Sequence, residues 1–158
     1  KLPRERFWRI RSKQVILAQG AFERPLVFSG NDRPGIMMAS AGQVYMSQYG
    51  VLPGNTITLF TNNDHAYTVA VDAISKGAKV VVIDLRSNVS SEITKLCEKN
   101  KIETYNSHAV ISTHGSQKVN SITLQELSED KQSFVGEAIT INRFTFNVRW
   151  MESSCTAF

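Results

Sequence analysis

The residues whose types and spacing allow chemistry fall between Thr61 and Asp84. Thr61-Asn62-Asn63-Asp64 is turn chemistry, placed after a β-rich run and before a helical one. Asp84 closes the next apolar run, twenty-three positions after Thr61. Strand, tight turn, helix N-terminus and a second strand ending in an acid is the layout of a dinucleotide-binding βαβ unit. The chemistry would be anion binding, because a helix N-terminus offers orphan N–H groups and a favourable dipole to a pyrophosphate. Asp84 would hydrogen-bond the ribose. The three glycine slots of the fingerprint fall on Thr61, Asn63 and Ala66, and only Ala66 suits its slot. Asn62 and Asn63 tolerate left-handed backbone, so the turn is feasible. Asp64 places a negative charge where a pyrophosphate would sit. Two readings stand: a nucleotide site built from Asn62, Asn63, Ala66 and Asp84, and a βαβ unit retained only for its structure.

Nothing else assembles a catalytic set. His65, His108 and His114 are scattered without metal-ligand spacing. Asp64 and His65 are helix neighbours that do not face each other. Ser153, Ser154 and Cys155 lack a nucleophile-elbow context. No catalytic residue and no metal ligand is assigned. Cys97 and Cys155 form no CxxC pair. Cys97 reads as a small buried apolar residue. A reducing, cytoplasmic setting is expected. Net charge is +4, with 18 basic against 14 acidic residues, too mild to imply nucleic acid. Lys1, Arg4, Arg6, Arg9, Arg11 and Lys13 alternate as the solvated face of a strand pair would, with no aromatic ladder beside them.

Those residues need elements to position them. The chain has 158 residues, 42% of them hydrophobic, enough for one ordinary domain. Its longest apolar runs, Val80 to Ile83 among them, are far too short for a membrane span. No apolar stretch follows the basic start, so no signal peptide is expected. A first residue other than Met points to a fragment. Alternation predicts strands over 5–12 and 14–18, and Pro25, Gly30, Pro34 and Gly35 predict a loop over 21–35. A helix is expected over 37–49, closed by Gly50. Strand 55–60, helix 65–76, strand 78–85, a helix capped by Ser90 or Ser91, and strand 101–105 follow. That order implies a parallel sheet with right-handed crossovers. The runs 110–113, 118–127 and 134–141 read as an antiparallel meander. The fold class is therefore α/β: a Rossmann-like three-layer ββα sandwich with a parallel sheet plus an antiparallel meander.

Residues 14–35 read Q-V-I-L-A-Q-G-A-F-E-R-P-L-V-F-S-G-N-D-R-P-G. This resembles the α subunits of heterotetrameric sarcosine oxidases, where L-A-T-G-A-x-E-R-P leads into F-x-x-N-D-R-P-G-I-M. The T-N-N-D-x-A-Y turn at Thr61 to Tyr67 is similar as well, and Gln19 departs from the family's Thr. The resemblance covers about Arg4 to Ile141. It implies an FAD/NAD(P)-binding architecture of the pyridine nucleotide-disulfide oxidoreductase kind, with two nested folds. Residues 1–30 would be closing strands of the first fold, 31–135 an inserted second Rossmann-like domain, and 136–158 a return strand and an aberrant tail. Gly20 and Ala21 would pass near the first fold's dinucleotide. The implied cofactor is NAD, and the implied partners are the other subunits of a hetero-oligomeric oxidase. The implied parent activity is oxidative demethylation of sarcosine to glycine, with the fragment itself inactive. The alternatives are part of a related flavin-dependent amine or imino-acid dehydrogenase, and a non-catalytic scaffold module.

The tail departs from that family. After Ile141-Asn142 the resemblance predicts D-L-L-x-x-S-G-G-W-x-P, whereas residues 143–158 read R-F-T-F-N-V-R-W-M-E-S-S-C-T-A-F. One choice of codons, read one base later, gives D-L-L-L-M-S-G-G-W-S-P-A-V-Q-L. The tail is expected to be a frameshifted reading, in which Trp150 and Cys155 carry no evolved role. Residues 1–28 expose apolar side chains that a first fold would cover, so self-association of the chain is also expected.

Overall fold

The computed structural model describes residues 4–16, 18 and 25–142, and the backbone of 146–149. Strand β1 (Ile36–Met38) leads into helix α1 (Ala39–Gln48). Strand β2 (Thr56–Thr61), helix α2 (His65–Ser75) and strand β3 (Lys79–Asp84) form the βαβ unit. Helix α3 (Ser91–Asn100) and strand β4 (Glu103–Asn106) follow. Strands β5 (His108–His114), β6 (Ser121–Leu127) and β7 (Phe134–Ile141) make the meander, and β8 (Phe146–Arg149) returns to the first sheet.

The parallel sheet has the order β1-β8-β2-β3-β4, and the antiparallel sheet the order β5-β6-β7. Side chains of β2 and β3 alternate between two cores, as the period of two requires. Ile57, Leu59, Val80 and Val82 face the helices, packing with Tyr67, Val69, Ala70, Ala73, Ile93 and Cys97. Phe60 and Ile83 face the meander, packing with Ala109, Val110, Val119, Ile122 and Leu124. Helices, parallel sheet and meander are thus the three expected layers.

Local chemistry explains the element ends. Ser90 accepts a hydrogen bond from the Ile93 N–H and caps α3. Lys101 ends α3 in the left-handed conformation, with φ 53°. Gly77, at φ 93°, follows α2 and lets the chain reverse into β3.

The structure differs from the expectations at the start of the chain and at the first helix. Residues 4–16 carry no regular structure and are exposed, so the strand expected over 5–12 is not formed. An alternating sequence makes a strand only when a neighbour completes its ladder, and no described residue does. The strand expected over 14–18 lies partly outside the described residues. The helix expected from 37 starts at Ala39, because Met37 and Met38 belong to β1, paired with Val148 and Arg149 of β8. The loop before β1 docks on the meander: the Ser29 N–H donates to the Ile111 carbonyl and the Thr113 N–H to the Ser29 carbonyl, each at 3.0 Å.

Candidate functional site

Parallel pairing sets the C-terminal ends of β2 and β3 side by side, with Thr61 in register with Asp84. The Leu85 N–H donates to the Thr61 carbonyl at 3.0 Å and extends this edge. Helix α2 starts immediately above it. This is where an open α/β sheet presents a crevice to ligands.

Asp84 is fully buried. Its Oδ2 accepts from the Tyr67 hydroxyl at 2.9 Å and from Arg86 Nη2 at 2.8 Å. Its Oδ1 accepts from the Arg86 backbone N–H at 2.9 Å and from Arg86 Nε at 3.0 Å. Four donors occupy the roughly four lone-pair positions a carboxylate offers. The remaining edge of the guanidinium, Nη1, reaches Asp64 Oδ1 at 2.6 Å. Arg86 is about a quarter exposed at 26% and Asp64 largely exposed at 60%, so the pair lies at the mouth and Asp84 beneath it. Burial, and then the charge and hydrogen bond of Asp84, push the Tyr67 phenol far above its ordinary value. The hydrogen bond to Asp84 outweighs desolvation and holds the Arg86 proton more firmly.

The turn is closed by its own oxygens. The Asn63 N–H donates to Thr61 Oγ1 at 3.1 Å, and the His65 N–H donates to Asn63 Oδ1 at 3.0 Å. Asn62 is half-buried and Ala66 fully buried. The described non-glycine residues with positive φ are Lys101, Ser107 and Lys131, so neither asparagine uses left-handed backbone. Asn63 is 9% exposed, and its Nδ2 is buried without an acceptor. A pyrophosphate would need the N–H groups that Thr61 and Asn63 already occupy. A ribose would need an oxygen of Asp84 that Tyr67 and Arg86 already fill. The turn and Asp84, as arranged, do not fit a dinucleotide.

Of the expected site residues, the fold brings Asn62, Asn63, Ala66 and Asp84 to one edge. Gly20 and Ala21 lie outside the described residues. Sequence reasoning misses Arg86 and Tyr67. A signal for Arg86 exists: a buried strand-end acid needs a counter-charge, and the residue two positions on shares its side of the chain. Tyr67 is joined to Asp84 only by the crossover. The histidines stay apart, with His108 Nδ1 on the Asn106 carbonyl and His114 Nε2 on Thr123 Oγ1. Among the described residues no three metal-ligating side chains converge. Cys97 is buried on α3 beside a cleft of about 270 Å³ that Tyr67 also lines, and burial pushes its thiol upward. No helix among the described residues is long and apolar enough to cross a membrane.

No protein-family model matches the chain. It is 40% identical over 131 residues to the sarcosine oxidase α chain of Corynebacterium sp. (strain P-1), covering 82% of this chain and 13% of that protein. It is 55% identical over 82 residues to the sarcosine oxidase α chain of Rhizobium meliloti (strain 1021), covering 52% of this chain and 8% of that protein. A weaker similarity, 31% over 68 residues, reaches an opine oxidase component of Agrobacterium tumefaciens (strain Ach5), covering 43% of this chain and 14% of that protein. Among solved structures, T. acidophilum thioredoxin reductase matches with a TM-score of 0.65 at 13% identity, over 84% of this chain and 42% of that one. Lactococcus lactis thioredoxin reductase gives the same TM-score at 17% identity, again over 84% and 42%. The α/β fold is therefore that of the thioredoxin reductases. In sequence, the chain is a relative of a short segment of sarcosine oxidase α subunits.

Proposed function

We propose that this chain is the βαβ-bearing segment of a sarcosine oxidase-type α subunit, and that it contributes structure rather than a catalytic group. The parent enzyme would oxidatively demethylate sarcosine to glycine, with formaldehyde or methylene-tetrahydrofolate and hydrogen peroxide as the other products. NAD would be the parent's cofactor, held outside the Thr61 turn. The supporting observation is the closure of Asp84, whose two oxygens are taken by Tyr67 and Arg86. Residues 31–135 would form the inserted domain, 1–30 would close a neighbouring fold, and 136–158 would hold the return strand and a frameshifted tail. Sequencing the coding DNA through residue 142 tests the last point; codons that cannot be read one base later as D-L-L-L-M-S-G-G-W would exclude it. The partners would be the other subunits of a cytoplasmic oxidase.

The test is turnover. The purified chain, given sarcosine with NAD and FAD, is expected to form neither formaldehyde nor peroxide. Turnover by the chain alone would overturn the reading. The opine oxidase similarity supports a second reading, a segment of a related amine dehydrogenase. A parent enzyme that oxidises an opine faster than sarcosine would favour it.

A further inference from the structure

We infer that residues 5–12 of one copy of this chain dock on strand β7 of a second copy, as an added strand at the open edge of the meander. Both halves of that contact lack a partner within the chain. In the antiparallel sheet β7 pairs with β6, and among the described residues no strand pairs with its other side. The opposite edge, β5, is bridged at Ser112 by Ser29. An open edge presents backbone donors and acceptors to an extended segment. Residues 5–12 are such a segment: their sequence alternates as a strand, yet they are exposed along their whole length and lie in no ladder. The chain does not seat this segment on its own β7, since residues 134–140 are exposed as well.

Charge says what the edge takes. In and beside the segment, Arg4, Arg6, Arg9, Arg11 and Lys13 stand against Glu5. Around β7 the balance is reversed: Glu126, Glu129, Asp130 and Glu137 stand against Lys131, all of them exposed. Register places Glu126 beside Val135, so the acids lie on and next to the strand. Among the described residues the salt bridges are those of Arg86, so neither set of charges is neutralised within the chain. Phe7, Trp8 and Ile10 of the segment are exposed, and so are Phe134, Val135 and Ile139 of β7. Opposite charges steer and register the encounter, and apolar burial holds it. The β6–β7 ladder shifts between Leu124 and Glu126, and Gly136 stands at φ 74°. The regular part of the edge is therefore Ile139–Ile141, and the added strand pairs there. Reciprocal exchange of the two segments closes a two-fold dimer.

The experiment is sedimentation equilibrium of the full chain at low and high salt. The parent sequence is expected to dimerise, and to do so more weakly at high salt. Arg6→Glu/Arg9→Glu/Arg11→Glu is expected to weaken the dimer by about tenfold or more, and Glu126→Lys/Glu129→Lys/Glu137→Lys to do the same. An equal mixture of the two variants is expected to associate again, because each then offers the charge the other's surface lacks. Lys76→Glu/Lys95→Glu/Lys99→Glu, the same change in net charge on the helices, is expected to leave the dimer unchanged. A chain that is monomeric throughout would overturn the inference. So would a dimer indifferent to the arginine reversal, or one weakened equally by the helix variant, which would mean net charge alone. A monomeric chain that pellets with phosphatidylserine vesicles through the same arginines would overturn it in favour of a membrane surface.

Discussion

A carboxylate at zero exposure is costly, because several kcal/mol of hydration are surrendered when it leaves water. Asp84 is retained because Tyr67 and Arg86 return four hydrogen bonds to it. Removing one partner is therefore worse than removing neither. Arg86→Ala leaves the buried charge without its counter-charge and with only the Tyr67 hydroxyl and a backbone N–H as donors, and is expected to cost about 3–5 kcal/mol in urea unfolding. Tyr67→Phe removes one bond to a charged group and is expected to cost about 1.5–3 kcal/mol. Tyr67 also sets an alkaline limit. Its phenol is raised in the folded chain, so the unfolded chain loses that proton first, above its ordinary value near 10. Stability from this group is complete below that pH and declines as pH rises beyond it. Thermal unfolding from pH 8 to 11 is expected to show this decline, and Tyr67→Phe to flatten it. Asp84 is legible in the sequence as the acid ending a strand. Tyr67 is not, because a crossover helix supplies it, and Arg86 is signalled only by the counter-charge that a buried acid needs.

At the scale of elements, legibility follows the strength of the period. β2 and β3 are nearly continuous apolar runs, and α2 repeats Ala66, Val69, Ala70 and Ala73 on its buried face; all three lie where the pattern places them. β1 reads as helix because Met37 and Met38 fit the following 3.6-residue period as well as a strand. β8 falls in the tail expected to be frameshifted, although Phe146 and Val148 alternate with Asn147 and Arg149 as a strand would. The meander is clear in outline, and its turn depends on one position. Gly115 stands at φ 142°, and an added Cβ would press into the Lys118 carbonyl. Gly115→Ala is expected to lower the melting temperature by several degrees through backbone strain. Leu59 tests the other core. Fully buried among the helices, its truncation to Ala is expected to cost about 2–5 kcal/mol in denaturant unfolding.

For the whole molecule, the two cores account for the three layers, and parts of the surface outside them remain apolar. Phe7, Trp8, Ile10 and Val27 are each more than 70% exposed, and Phe134, Val135 and Ile139 of β7 are exposed as well. Apolar exposure on this scale favours association. Sedimentation of the 158-residue chain is expected to show concentration-dependent self-association. A monomer at all concentrations would exclude that association.

The position of β8 has a consequence for the order of events in folding. Among the described residues β1 pairs with β8 alone, and β8 also pairs with β2, so the last described strand joins the first one to the rest. The βαβ unit and the meander can form from near neighbours as they emerge. The sheet's outer strand cannot be secured until Met37 meets Val148, a loop closure spanning most of the chain. Such long-range pairings slow folding. A chain halted at residue 142 would hold its βαβ unit intact while β1 waited for a neighbour that had not yet been made.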